Sequence, residues 1–216
     1  MVDFQSRDTR RSDDDETDED QDEADPPADE TPDGEHAAEG AESHDHDADH
    51  DHHHHDLDEL GTAILTVSSS RSLDDDPAGD TIEATMAEEG TVVVRELVPD
   101  DFDRVQETVA RFAERGDVDA VVTTGGTGVT PDDNTVEAVR PLFEKELPGF
   151  GELFRILSHD EIGTRVVGTR ATAGIVETDT GAVPTFCLPG SENAARLGVE
   201  QIVSEEADHL AGLASR

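Results

Sequence analysis

Val118-Asp-Ala-Val-Val-Thr-Thr-Gly-Gly-Thr-Gly128 carries a short β-branched run straight into a glycine-rich turn. Val118–Thr124 reads as a buried strand, too short and too β-branched for a helix. Thr135 to about Leu147 then reads as helical, so the glycines sit between a strand and a helix. The same alternation appears upstream. Ala63–Ser68 is an apolar run and a strand. The spacing of Ile82 and Met86 predicts a helix from Gly79 or Asp80 to Glu89, ended by Gly90. Thr91–Val98 is strand-like and is broken at Pro99–Asp100. Phe102, Val105, Val109 and Phe112 recur at helical spacing and are closed by Gly116.

Downstream, Pro148–Gly149 interrupts, and Glu152–Leu157 reads as a short helix. Arg165–Val176 and Ala182–Leu188 have strand character, joined by the turn Asp179–Thr180–Gly181. Pro189–Gly190–Ser191 opens a last helix whose face includes Ala195, Val199 and Ile202. Alternating strands and helices predict an α/β class: a three-layer α/β/α fold around a mostly parallel, mixed sheet.

Charge divides the chain. Its 216 residues hold 55 acids and 15 lysines and arginines, a net charge of −40. Residues 1–56 take 23 of those acids, three arginines and eight of the ten histidines. Apolar residues are few there, so the segment is expected to be a disordered acidic tail. Residues 57–216 hold 32 acids against 12 bases but keep regular apolar runs, so they form the expected folded domain. Acidity on the folded part, with Lys145 as the chain's one lysine, fits a halophilic protein in a cytoplasm whose salt screens self-repulsion. Nucleic-acid binding is excluded, since it rests on basic residues neutralising phosphates. No apolar run is long enough to span a membrane. Arg10–Arg11 is followed by Ser12-Asp-Asp-Asp-Glu16 where an export signal needs apolar residues, so no targeting segment is expected. The single Cys187 excludes an intramolecular disulfide framework. The tract His44, His46, His50 and His52–His55 alternates with aspartates; it reads as a solvated tail that binds metals weakly rather than as a site with positioned ligands.

In such a sheet, ligands bind beyond the carboxyl ends of the strands. Thr123-Thr-Gly-Gly-Thr-Gly128 lies at one such end. Its backbone N–H groups and hydroxyls can hold an anion, although a purely structural turn fits the pattern equally well. It is not a Walker loop, because no Gly-Lys-Ser/Thr follows, and it is not a dinucleotide fingerprint. Asp132–Asp133 stand a few residues on. Carboxylates beside a phosphate site suit Mg²⁺, and helix capping is the alternative, favoured for Asp132. Asp100 ends the second strand and has the same two readings. Pro189–Gly190–Ser191 is another strand-to-helix turn able to hold an anion.

These segments occur in a characteristic order with Glu137-Ala138, Pro148-Gly-Phe-Gly-Glu-Leu-Phe-Arg155, Leu157-Ser158, Glu161-Ile-Gly163, Arg170-Ala171, Ala173-Gly174 and Leu188-Pro-Gly-Ser191. The set closely resembles the MoaB/MogA family of molybdenum cofactor biosynthesis, the molybdopterin-binding domain, over about Gly61 to His209. The resemblance implies a MogA-like fold and adenylylation of molybdopterin by ATP, with Mg²⁺. It implies release of pyrophosphate and a MoeA-type molybdenum insertase as the partner that consumes the product. The family's functional aspartates map onto Asp100 and Asp133, as catalytic residues and Mg²⁺ ligands. Implied molybdopterin- and nucleotide-binding residues are Ser68, Thr124, Gly125, Gly126, Thr127, Gly128, Arg155, Thr169, Arg170, Pro189, Gly190 and Ser191. A homotrimer or homohexamer in the cytoplasm is implied as well. Asp132 stands where relatives usually carry arginine, which removes a positive charge from beside the phosphates. The alternative to an enzyme is a non-catalytic pterin carrier of the same pathway. Phe150 and Phe154 are expected to pack in the core.

Overall fold

The computed structural model describes residues 59–215. Readings that fall on residues 1–56, the acidic tail and its histidine tract, lie outside the described residues.

Six strands form one sheet in the order β2-β1-β3-β6-β5-β4. They are β1 (Leu60–Val67), β2 (Gly90–Val98), β3 (Ala120–Thr124), β4 (Phe143–Glu146), β5 (Thr172–Thr178) and β6 (Gly181–Leu188). β2, β1, β3 and β6 run parallel, while β5 is antiparallel to β6 and β4 to β5. The sheet is therefore mostly parallel and mixed, as expected.

Side-chain alternation along the strands builds two cores. On β1, Leu60 and Ile64 join one face, and Ala63, Leu65 and Val67 the other. On β3, Val122 opposes Val121 in the same way. The first core is covered by α1 (Pro77–Glu89), α4 (Pro148–Ile162), α5 (Glu192–Gly198) and α6 (Ser204–Ala214). The second is covered by α2 (Phe102–Ala113) and the short α3 (Thr135–Val139). Phe150 and Phe154 are buried in the first core, and the Phe150 ring packs 5.4 Å from that of Phe186.

Three segments differ from the sequence pattern. The expected helix from Thr135 to Leu147 stops at Val139 and gives way to a 3-10 turn, Arg140–Leu142, and then to β4. Pro141 accounts for the break, because its ring clashes with a continuing helix and it has no N–H to donate. The helix expected to begin at Glu152 begins at Pro148, in the first turn, where a missing N–H costs nothing. Of the strand expected over Arg165–Val176, the first part is a 3-10 turn, Gly163–Gly168, and the strand starts at Thr172. The last helix runs through a π turn, Val199–Val203, between α5 and α6.

The antiparallel β5–β6 pair has a geometric consequence. The start of β5 lies beside the end of β6, with Thr172 opposite Cys187. The residues that lead into β5 thus reach the same end of the sheet as the residues that leave β1, β2, β3 and β6.

Candidate active site

A cleft of about 520 Å³ opens at that end of the sheet. Its walls come from the ends of β1 (Thr66–Ser68, Ser70, Arg71), β2 (Asp100), β3 (Thr124–Gly128, Asp133) and β6 (Pro189–Ser191), and from the turn before β5 (Arg165, Gly168, Thr169).

The floor is made of glycines because backbones meet there. A Cβ on Gly125, whose φ is +100°, would lie 2.1 Å from the Val67 carbonyl oxygen. A Cβ on Gly126, at φ +64°, would lie 2.2 Å from Thr135 Oγ1. Gly190 packs against Gly125, its would-be Cβ 3.0 Å from the Gly125 Cα. Gly125 N–H donates to the Leu188 carbonyl at 3.0 Å, and Thr124 Oγ1 donates to the Pro189 carbonyl at 2.9 Å. The two turns are thereby locked into one surface.

Two carboxylates enter this surface from separate loops, Asp100 just after β2 and Asp133 just ahead of α3. Asp100 Oδ2 accepts from Ser69 N–H at 2.7 Å, and Ser69 Oγ accepts from Asp100 N–H at 3.0 Å. The capping alternative for Asp100 is set aside, since the neighbouring Asp101 caps α2 through Arg104 N–H. Asp133 Oδ2 accepts from both the N–H and the hydroxyl of Thr130, at 2.7 and 2.6 Å. Partial burial pushes the Asp133 carboxyl up, but the Thr130 hydroxyl, the Thr130 and Gly128 N–H groups and the Arg170 charge together hold it below the usual carboxylate range. Asp133 is thus ionised at neutral pH. The capping role favoured for Asp132 is corrected: Asn134 occupies the cap position of α3, with no side-chain capping bond.

Two arginines expected at the site stand elsewhere. Arg170 lies behind the glycine turn, not in the cleft. Its Nε donates to the Gly128 carbonyl at 2.7 Å and its Nη2 to the Asp133 carbonyl at 3.0 Å, and it pairs with Glu137. Arg155 lines a neighbouring groove, together with Arg140 and Glu152. Their places follow from local structure: Arg155 is fixed on α4, and the main chain of Arg170 donates to the Thr127 carbonyl at 3.1 Å. The cleft instead holds Arg71 and Arg165, which the sequence pattern did not mark. Arg71 could have been found by its place just past the end of a parallel strand. Arg165 was hidden within an expected strand. Ser191 lines the cleft and also caps α5, its Oγ accepting from Ala194 N–H at 3.4 Å.

Beneath the floor, fully buried Asp76 accepts from the hydroxyl of Thr66 at 2.6 Å, from Gly79 N–H at 3.1 Å and from Arg95 Nη2 at 2.9 Å. This network ties the start of α1 to the end of β1.

A family model described as the probable molybdopterin binding domain matches residues 63–209. The chain belongs to the MoaB/MogA family. Molybdenum cofactor biosynthesis protein B of Staphylococcus epidermidis is 40% identical to it over 156 residues, covering 70% of this chain and 86% of that one. A molybdopterin adenylyltransferase of Pyrococcus furiosus is 43% identical over 145 residues, covering 66% and 84%. The crystal structure of a tungsten cofactor synthesizing protein MoaB from Pyrococcus furiosus superposes with a TM-score of 0.67 at 38% identity, covering 74% of this chain and 99% of that one. As a MoaB/MogA member the chain has a role in molybdenum cofactor biosynthesis. Among its described residues no helix is long and apolar enough to cross a membrane.

Asp100 and Asp133 suit Mg²⁺ of the kind shared with phosphates. They offer two hard oxygen ligands in one cleft, and Mg²⁺ commonly takes one or two carboxylates and completes its shell with phosphate and water. Among the described residues no group of three or more His, Cys, Asp or Glu side chains forms an all-protein metal cage.

Proposed function

We propose that this MoaB/MogA protein adenylylates molybdopterin. The observation that carries the reading is that Asp100, after β2, and Asp133, ahead of α3, line one glycine-built cleft. The name of the Pyrococcus furiosus relative supports it.

In the proposed reaction an oxygen of the pterin's terminal phosphate attacks the α-phosphorus of ATP. The bond to the bridging oxygen of the β-phosphate breaks, and pyrophosphate leaves with that electron pair. Adenylyl-molybdopterin results. Such a transfer needs positioning and charge neutralisation more than covalent help from the protein. The N–H groups of Gly126 and Thr127 would hold one phosphate, since those of Gly125 and Gly128 are taken by the Leu188 carbonyl and the Asp133 carboxylate, and the Gly190–Ser191 turn would hold another. Asp100 and Asp133 would hold Mg²⁺, which when bound neutralises charge on the phosphate oxygens. The acidity of Asp133 keeps it a ligand rather than a proton donor. A MoeA-type insertase would consume the product, and a trimer or hexamer remains the expected assembly.

The test is pyrophosphate release from molybdopterin, ATP and Mg²⁺ in high potassium chloride. Asp133→Asn keeps an oxygen for Thr130 but removes the charge. It should leave pterin binding nearly intact and slow release at least about a hundred-fold, the scale seen when a group that stabilises transition-state charge is removed. Full activity in the variant would refute the ligand role. Bound pterin without pyrophosphate, at any salt, would leave a carrier.

A further inference from the structure

The cleft's two guanidinium groups are not equivalent. Arg71 Nη1 donates to the Gly190 carbonyl at 3.0 Å and lies 3.9 Å from the buried Asp76 carboxylate, so its charge is already engaged. Arg165, on the 3-10 turn Gly163–Gly168, is exposed and has no hydrogen bond or ion pair among the described residues. That is notable in a domain where acids outnumber bases 32 to 12. Arg165 lines a cleft that also contains Asp100 and Asp133, and among the described residues neither carboxylate pairs with it.

A second observation comes from the same segment. Thr169 follows the turn and lines both the cleft and the neighbouring groove, and its Oγ1 is buried with no hydrogen-bond partner among the described residues. A buried hydroxyl without a partner is costly to the fold. A ligand oxygen would remove that cost.

We propose that Arg165 and Thr169 form a phosphate clamp, in which the guanidinium pairs with the oxyanion and the hydroxyl donates to one of its oxygens. A planar guanidinium matches two phosphate oxygens, and such charge-assisted bonds are stronger than neutral ones. The oxyanion is either the triphosphate of the nucleotide or the phosphate monoester of the pterin. The inference rests on the reading of the cleft as a site for phosphorylated ligands, but it does not require transfer between them.

Wild type, Arg165→Gln, Arg165→Lys and Thr169→Val of the full chain are titrated separately with ATP, with inorganic pyrophosphate and with molybdopterin. Arg165→Gln should lower affinity for the clamped ligand about ten- to a hundred-fold, the range for a charged hydrogen bond. Arg165→Lys should recover part of it, and Thr169→Val should lower the same affinity several-fold. The melting temperature without ligand should be unchanged in Arg165→Gln, since the group has no partner to lose among the described residues, while the ligand-induced rise shrinks. Loss for ATP and pyrophosphate alone assigns the clamp to the nucleotide; loss for molybdopterin alone assigns it to the pterin. Unchanged affinities for both ATP and molybdopterin in Arg165→Gln, or no binding of any of the three probes to wild type, overturns the clamp. Arg165-dependent binding without pyrophosphate release from wild type would sustain the clamp and remove the transferase reading. Normal release with unchanged affinities in Arg165→Gln would do the reverse.

Discussion

Arg170 Nη2 donates to the main-chain carbonyl of Asp133 at 3.0 Å, across 37 residues of sequence. With its Nε on the Gly128 carbonyl at 2.7 Å, one guanidinium fixes both ends of the turn that presents the Asp133 carboxylate. The arginine works from behind the site, on the backbone.

Replacing Arg170 should therefore damage the turn more than the charge of the cleft. Arg170→Ala strands two carbonyls and should cost about 2–3 kcal/mol in denaturant unfolding. Arg170→Lys should recover little, because an ammonium cannot reproduce the fork that spans Gly128, Asp133 and Glu137. Pyrophosphate release should fall in both variants. A lysine variant as stable and active as wild type would show that the fork geometry is dispensable.

Gly125 should be nearly irreplaceable. Gly125→Ala puts a methyl group against the Val67 carbonyl and forces a positive φ on alanine. The combined cost should be about 2–4 kcal/mol. Gly190→Ala meets the Gly125 Cα at 3.0 Å and the Gly125 nitrogen at 3.6 Å and should cost about 1 kcal/mol, with a larger loss in ligand affinity as the two turns part. Equal melting temperatures for the two variants would contradict this ranking.

The buried network under the floor should make the fold acid-sensitive. Burial alone would raise the Asp76 carboxyl, but the Thr66 hydroxyl, Arg95 and the Gly79 N–H hold it below the usual carboxylate range. A carboxylate lowered in the folded state stabilises the fold fully above its unfolded pKa, and this contribution is lost as pH falls through the folded value. Asp76→Asn should cost about 3 kcal/mol near neutral pH, at the lower end for a broken buried pair because Arg95 keeps Asp80 and Glu83. The gap between variant and wild type should narrow below about pH 4, near the ordinary Asp value. Unfolding curves at several pH values measure it, and a gap independent of pH would show that Asp76 carries no ionised role.

Thiol chemistry should be silent in the folded protein. Complete burial pushes the Cys187 thiol up to about 12, so thiolate is scarce at neutral pH. Thiol reagents should react only after unfolding. Prompt labelling of native protein would mean that β6 opens readily.

The layers of the fold were legible because β1 is a largely apolar run and β3 a largely β-branched one, each followed by turn residues, and buried parallel strands have that pattern. β4 was not legible. Phe143-Glu-Lys-Glu146 has one apolar residue among three charged ones, and it owes its place to antiparallel pairing with β5 rather than to its own composition. The glycine turns and Asp133 could be read from order and spacing. Asp100 could be located but not separated from its neighbour Asp101 as the helix cap, since both are aspartates ahead of one helix. Arg165 could not be read at all, because Val166–Val167 beside it look like a strand. Only the structure gives Val166 to the core and leaves Val167 83% exposed.

The cleft draws on five segments spread between Thr66 and Ser191, each at the end or the approach of a different strand. A ligand seated there bridges parts of the chain that are remote in sequence, and it can bind only when all five are in place. Its binding energy is therefore added to the cooperative unfolding of the whole sheet rather than to one loop. Amide hydrogens deep in β1, β3 and β6, far from any contact with the ligand, would exchange more slowly in its presence, so occupancy of the cleft can be read from the protection of the core.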